Sequence, residues 1–188
     1  MSAPRRLIVG ISGASGVIYG VRLLEILREI GIETHLVMSP AAEITLAHET
    51  TLKLAQVHAL AGKVHAAKDI AAGISSGSFR TMGMIVAPCS IRSMSEIASG
   101  VTSGLLTRAA DVVLKERRKL VLMVRETPLH LGHLRTMTQL AEMGAIIAPP
   151  VPAFYNRPET LAAMVDHSLG RVLDLFGLET DLVRRWKE

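Results

Sequence analysis

The 188 residues carry 49% hydrophobic and 20% charged side chains, enough apolar matter for one sizeable core and too little charge for a disordered chain. One cysteine excludes an internal disulfide framework, and no apolar run approaches the roughly 18 residues of a membrane span. A formal charge of +4 and a pI near 9.6 favour anionic partners, but basic residues are dispersed and aromatics are only 3%, which suits phosphorylated small molecules rather than nucleic acid.

A mean hydropathy of +0.34 points to apolar faces covered by further copies of the chain. No signal-peptide core is present, so a cytoplasmic protein of one domain, 1–188, is expected. Short apolar runs alternate with helical stretches, the signature of βαβ units and a parallel sheet. The first strand is predicted over 6–11, followed by Gly10-Ile-Ser-Gly13-Ala-Ser-Gly16 and a helix over 17–30 closed by Gly31. Glycines let this turn approach a ligand, and Ser12, Ser15 and free amides at the helix start offer hydrogen bonds to an anion. A purely structural turn is the alternative. The glycines do not follow G-x-G-x-x-G, and no Walker lysine follows them. The second strand, 33–38, ends at Ser39 rather than at an acidic residue for an adenosine ribose, which favours a mononucleotide over NAD. A helix is predicted over 41–49. Between 50 and 80 the pattern is weak, with short helical pieces and an Ile-Ser-Ser-Gly-Ser-Phe loop.

A third strand over 84–87 runs into Pro88-Cys89-Ser90 and a helix over 91–98, where Ser90 can donate to a phosphate or a ring carbonyl. Cys89 has no base paired with it in the sequence and reads as a small buried apolar residue. In a helix over 103–118, Arg108 and Lys115 fall on nearly the same face with Asp111 between them, a pattern that also suits a solvated salt-bridge ladder. The fourth strand, 120–124, ends in Arg125-Glu126 at the ligand-binding edge: an arginine grips phosphate, and a carboxyl beside it exchanges a proton with a leaving group. His130 and His133 open a helix over 129–143 without a third ligand at a recognisable spacing, so no metal site is predicted. Beyond a fifth strand over 145–148, the stiff 149–158 loop either presents Tyr155 or simply packs. Arg171, in a helix over 159–176, can reach the same anion or a neighbouring subunit; Trp186 and the nine methionines read as packing or interface residues. The predicted architecture is a three-layer, doubly wound α/β parallel sheet with ligands beyond the carboxyl ends of the strands.

The segments G-I-S-G-A-S-G, P-C-S, R-A-A-D-V-V-L-K-E-R-R, V-R-E-T-P-L and P-A-F-Y-N-R-P occur in that order. Over nearly its full length the chain resembles the UbiX-like flavin prenyltransferases, formerly called aromatic acid decarboxylases, which are flavodoxin-like flavoproteins of Rossmann-like type. The resemblance implies metal-free transfer of a dimethylallyl group from dimethylallyl monophosphate to reduced FMN. The product is prenylated FMN for UbiD-type decarboxylases, including that of ubiquinone biosynthesis. The resemblance further implies that Gly13, Ala14 and Ser15 hold FMN together with Ser39, Ser90, Ile91, Arg92 and Ser93. Arg125 then contacts both FMN and the prenyl phosphate, Lys115, Glu126, Tyr155 and Arg171 form the phosphate pocket, and Arg108 supports it from a neighbouring subunit. Ser15, Glu49 and Glu126 are implied in proton transfer, and the assembly in a homododecamer. Where some relatives carry a tryptophan this chain has Ile70, which removes an aromatic face for an allylic cation. Two other readings compete. A peptidyl-cysteine decarboxylase would carry an asparagine-methionine signature and a catalytic histidine, whereas the loop here reads Ala-Phe-Tyr-Asn-Arg and His48 adjoins Glu49. For an FMN carrier subunit, Lys115, Arg125, Glu126 and Arg171 would be superfluous.

Overall fold

Alternate side chains on the strands feed two apolar layers. Leu7, Val9 and Ile11 of β1 (Arg6–Ile11) join one cluster of buried residues and Ile8 joins the other, as a strand covered on both faces requires. The computed structural model describes residues 5–183 and 185, so the packing expected of Trp186 lies outside the described residues. After β1 come α1 (Val17–Glu29), β2 (Glu33–Met38), α2 (Pro40–Glu49), α3 (Leu54–His58) and β3 (Lys63–His65). The second half supplies β4 (Gly83–Cys89), α4 (Ile91–Ser99), α5 (Leu105–Lys115), β5 (Lys119–Val124), α6 (Leu131–Glu142), β6 (Ile146–Ile147) and α7 (Leu161–Asp174). The six strands are parallel in the order β3-β2-β1-β4-β5-β6. Residues of α1, α2, α3 and α7 bury against one face, those of α4, α5 and α6 against the other, which gives the three layers expected.

The strand order reverses between β1 and β4, and a doubly wound sheet opens a crevice at such a point. Backbone hydrogen bonds run one residue beyond the strands there. The amides of Ser39, Ser12 and Arg125 donate to the carbonyls of Ile11 (2.9 Å), Pro88 (3.2 Å) and Cys89 (3.0 Å). The residues that follow each strand are thereby fixed in a row along the carboxyl edge.

The expected elements recur with shifted ends: the strand expected over 84–87 extends to Gly83–Cys89, while several helices are trimmed. The helix predicted over 103–118 starts only after Gly104 and stops where Arg117 enters a left-handed turn at φ 54. The one predicted over 159–176 starts after Thr160, whose hydroxyl oxygen accepts from the Ala163 amide. The sheet has a sixth strand that the sequence did not signal: β3, three residues long, lies in the unpatterned stretch. Among the described residues no helix is long and apolar enough to cross a membrane.

Candidate active site

The turn between β1 and α1 is built around two glycines. Gly16 sits at φ 93 as the residue before α1, a conformation that L side chains resist. Gly13 packs so closely on α2 that an added Cβ would lie 2.3 Å from the Ala41 Cβ. Ser12 is fully buried: its hydroxyl donates to the Pro88 carbonyl (2.9 Å) and accepts from the Ser90 amide (2.7 Å). It therefore stitches β1 to β4 and offers nothing to a ligand, contrary to the sequence expectation. The amides at the start of α1 are not free either. Glu49, at the end of α2, accepts from Gly16 (2.8 Å) and Val17 (3.0 Å), a carboxylate standing where an exogenous anion would bind. Burial raises its pKa, but hydrogen bonds from the Ser15 hydroxyl and these two amides, with the Arg125 charge, outweigh that and hold it below the ordinary glutamate value.

Two further helix starts face the crevice. Ser39 caps α2 by accepting from the Ala42 amide (3.1 Å), and Ser90 caps α4 by accepting from the Ser93 amide (3.2 Å) while donating to the Ser93 hydroxyl (3.2 Å). Between them opens a cleft of about 500 Å³ lined by Gly13, Ser39, Ser90, Ile91, Arg92, Ser93 and Glu126, and also by Lys68, Glu96, Ser103 and Thr107. Glu96 receives Arg92 (2.8 Å) and the Ser103 hydroxyl (2.5 Å). Burial raises its pKa, but these two partners prevail and it stays a carboxylate. Glu126 stands exposed on the wall, one oxygen accepting from the Thr127 amide at 3.0 Å. A hollow of similar size at the other end of α1, near Ile26, Ile30 and Leu182, borders none of these groups.

A second cluster lies beside the cleft. Arg125 is exposed just past β5, and its charge bears on both Glu49 and the Tyr19 phenol. Burial raises the Tyr19 pKa against the opposing effects of a Ser168 hydrogen bond and of Arg125. The Tyr155 hydroxyl lies 2.9 Å from His167 Nε2 on α7, and Arg171, one turn further, pairs with Asp174 at 3.1 Å.

A family model described as Flavoprotein matches residues 1–174. Flavin prenyltransferase UbiX of Escherichia coli (strain K12) is 64% identical over 186 residues, 97% of this chain and 98% of the relative. The chain belongs to the UbiX family. Flavin prenyltransferase UbiX of Thauera aromatica is 58% identical over 96% of this chain and 93% of its own. Among solved UbiX structures, AnUbiX (PadA1) in complex with FMN and dimethylallyl pyrophosphate has a TM-score of 0.96 at 49% identity, covering 98% of each chain. A dodecameric FMN-dependent UbiX-like decarboxylase from Escherichia coli O157:H7 has a TM-score of 0.95 at 54% identity, covering 97% of this chain and 100% of its own. The peptidyl-cysteine decarboxylase EpiD is 15% identical with a TM-score of 0.66, a likeness of fold alone.

Set against the UbiX resemblance, the structure gathers Gly13, Ser39, Ser90, Ile91, Arg92, Ser93 and Glu126 on one cleft, and Ser15, Glu49 and Arg125 in the neighbouring electrostatic cluster. Ala14 lies in the turn with its amide donating to the Ser12 carbonyl (2.8 Å). Arg108, Lys115, Tyr155 and Arg171 are not among the residues that line the cleft. Arg108 pairs with Asp111 (2.7 Å), and Lys115 pairs with Glu116 at the far end of α5, about 15 Å of helix from the Gly104 end that borders the cleft. Asp111 therefore does not bridge the two. Cys89 is fully buried and its thiol is pushed up to about 12, in keeping with a packing role. His130 caps α6 by accepting from the Gly132 (3.0 Å) and His133 (3.3 Å) amides, and among the described residues no three metal-ligating side chains converge. Lys68, Glu96, Ser103 and Thr107 escaped the sequence analysis. Arg92 and Glu96, four apart on a helix, were a legible signal; Lys68, in the unpatterned stretch, had none.

Proposed function

We propose that this UbiX-family protein transfers a dimethylallyl group from dimethylallyl monophosphate to reduced FMN, making prenylated FMN for a UbiD-type decarboxylase in the cytoplasm. The whole chain, 1–188, acts in this reading as one flavin-binding domain. The observation that carries it is the hydroxyl-lined cleft at the strand-order reversal, flanked by Arg125, Glu126 and the Glu49 carboxylate. A cleft of about 500 Å³ has the volume of a cofactor site. Its donor set fits FMN: the first-turn amides of Ile91 and Arg92 have no helical carbonyl to bond, so α4 would hold the phosphate, and the hydroxyls of Ser39 and Ser90 would meet polar edges of the ring. Gly13, Ala14 and Ser15 would bring backbone and hydroxyl against the ring's reactive edge.

When bound, reduced FMN supplies the electron-rich ring that receives the dimethylallyl group. The chain's own residues handle the charge that leaves. Arg125 and Arg171 take up the charge of the departing phosphate, with Tyr155 as a further hydrogen-bond donor. Glu126 serves as the proton donor to that phosphate. Glu49, held as a carboxylate, accepts a proton through Ser15. Lys115, remote from the cleft within one chain, and Arg108, turned to Asp111, are supplied by neighbouring copies in a homododecamer.

The experiment is to mix the protein with reduced FMN and dimethylallyl monophosphate, with and without a chelator, and to weigh the flavin. An added five-carbon unit is the expected result. Unchanged mass with FMN bound makes the protein a carrier instead.

A further inference from the structure

The structure assigns His167 a task that the prenyl-transfer reading leaves open: we infer that its imidazole positions the Tyr155 phenol so that the phenolic proton is delivered to the phosphate of the allylic substrate. The identity of that anion rests on the reading above.

Tyr155 stands in the 149–158 loop. The loop's own backbone bonds run from Val151 to Pro149 (2.8 Å) and from Arg157 to Phe154 (3.0 Å). Arg157 takes a left-handed φ of 49, and Val151 and Phe154 are exposed. From this loop the phenol reaches α7, where its oxygen lies 2.9 Å from His167 Nε2 and the rings meet edge to face with centroids 5.5 Å apart. His167 itself is only 5% exposed, so the histidine is the fixed partner and the tyrosine the guided one. Arg171, four residues on, shares the His167 side of α7 and brings a cation to the same region.

Proton counting gives the arrangement its direction. Burial and the nearby Arg171 charge hold His167 below the ordinary histidine pKa against the opposing pull of Asp174, so the ring is neutral at pH 7. A neutral imidazole presents either a lone pair or an N–H at Nε2, and a phenol has a single proton. If Nε2 accepts, that proton is spent on the histidine. If Nε2–H donates to the phenolic oxygen, the phenolic proton turns to another acceptor, a place that a bound anion can take. Binding of a phosphate therefore selects the Nε2–H tautomer, and His167 acts through Tyr155 without touching substrate.

The test titrates dimethylallyl monophosphate calorimetrically into protein carrying oxidised FMN, which cannot accept the prenyl group, and then measures turnover with reduced FMN. His167→Leu and Tyr155→Phe are each expected to weaken binding about tenfold, and kcat is expected to fall by the same factor in the two variants, because the histidine acts only through the phenol. His167→Gln, which retains an N–H donor, recovers most of the affinity. The His167→Leu/Tyr155→Phe pair binds no worse than either alone, because one residue works through the other. Wild-type affinity in His167→Leu, losses that multiply in the pair, or a glutamine no better than leucine would each overturn the proposal. If His167→Leu loses the bound-flavin spectrum through misfolding, the same cycle is run with His167→Gln and Tyr155→Phe, and multiplying losses there overturn it equally. A wild-type protein that binds substrate but leaves the flavin mass unchanged defeats the prenyl-transfer reading and this one with it; transfer without coupling defeats this one alone.

Discussion

Glu126 and Gly13 border the same cleft and answer to different physics. Glu126 is a chemical residue: its side chain is exposed and holds only the neighbouring Thr127 amide, so its removal disturbs little else. Glu126→Gln is expected to slow prenyl transfer about 100-fold, a usual size for a lost general acid, and to leave FMN affinity within about twofold. Single-turnover flavin mass and FMN fluorescence titration measure the two effects, and an unchanged rate takes Glu126 out of the acid role. Gly13 is a packing residue. A methyl there meets the Ala41 Cβ at 2.3 Å and the Ala41 backbone carbonyl carbon at 3.1 Å, and backbone cannot swing aside. Gly13→Ala should cost about 1–3 kcal/mol in a denaturant melt and weaken FMN binding with it. At this scale the sequence supplied the right residue types but not their directions. Ser12 and Ser15 look alike in the turn. That Ser12 faces inward depends on the Pro88 carbonyl, 76 positions away along the chain, and such a partner leaves no local trace.

Elements were legible wherever their stability is local or their burial complete. Strands β1, β2, β4 and β5 are apolar runs bounded by serine caps, glycine turns and amphipathic helices; β1 and β2 could be read to the residue, and the ends of β4 and β5 to within two. Strand β3 could not. It is three residues at the sheet edge, Lys63-Val64-His65, and it docks through a long-range polar chain: His35 Nδ1 lies 2.9 Å from His65 Nε2, and His35 Nε2 lies 2.9 Å from a Glu33 carboxylate oxygen. Burial, then the charges of His35 and Lys63, depress the His65 pKa against Asp69. A histidine depressed in the folded state binds its proton sooner when unfolded. The stability it contributes is complete above about pH 6.5, the unfolded value, and is lost as pH falls through the folded value. Amide-exchange protection of 63–65 should therefore drop between pH 7 and 5 relative to β1, and His65→Gln should flatten that drop. Equal protection at both pH values in the wild type would contradict this account.

For the whole molecule, Leu161 is 81% exposed, Phe154 72% and Val151 71%, so the apolar composition is not absorbed within one chain. The proposal that neighbours supply Arg108 and Lys115 ties catalysis to assembly. Leu161→Asp tests the link cleanly, because an aspartate at the first position of α7 suits the helix dipole and leaves the fold intact. Light scattering should report smaller particles, and turnover should fall in step with their mass; full turnover from dissociated chains would show that one copy is sufficient. The carboxylate that closes the first turn of α1 has a consequence for anyone redesigning this scaffold. Grafting a pyrophosphate-binding loop onto β1 cannot succeed while Glu49 occupies the end of the helix, since an incoming nucleotide would meet a resident negative charge rather than bare amides. Cofactor choice is thus guarded from the last residue of the following helix, and a switch to dinucleotides would have to begin by neutralising it.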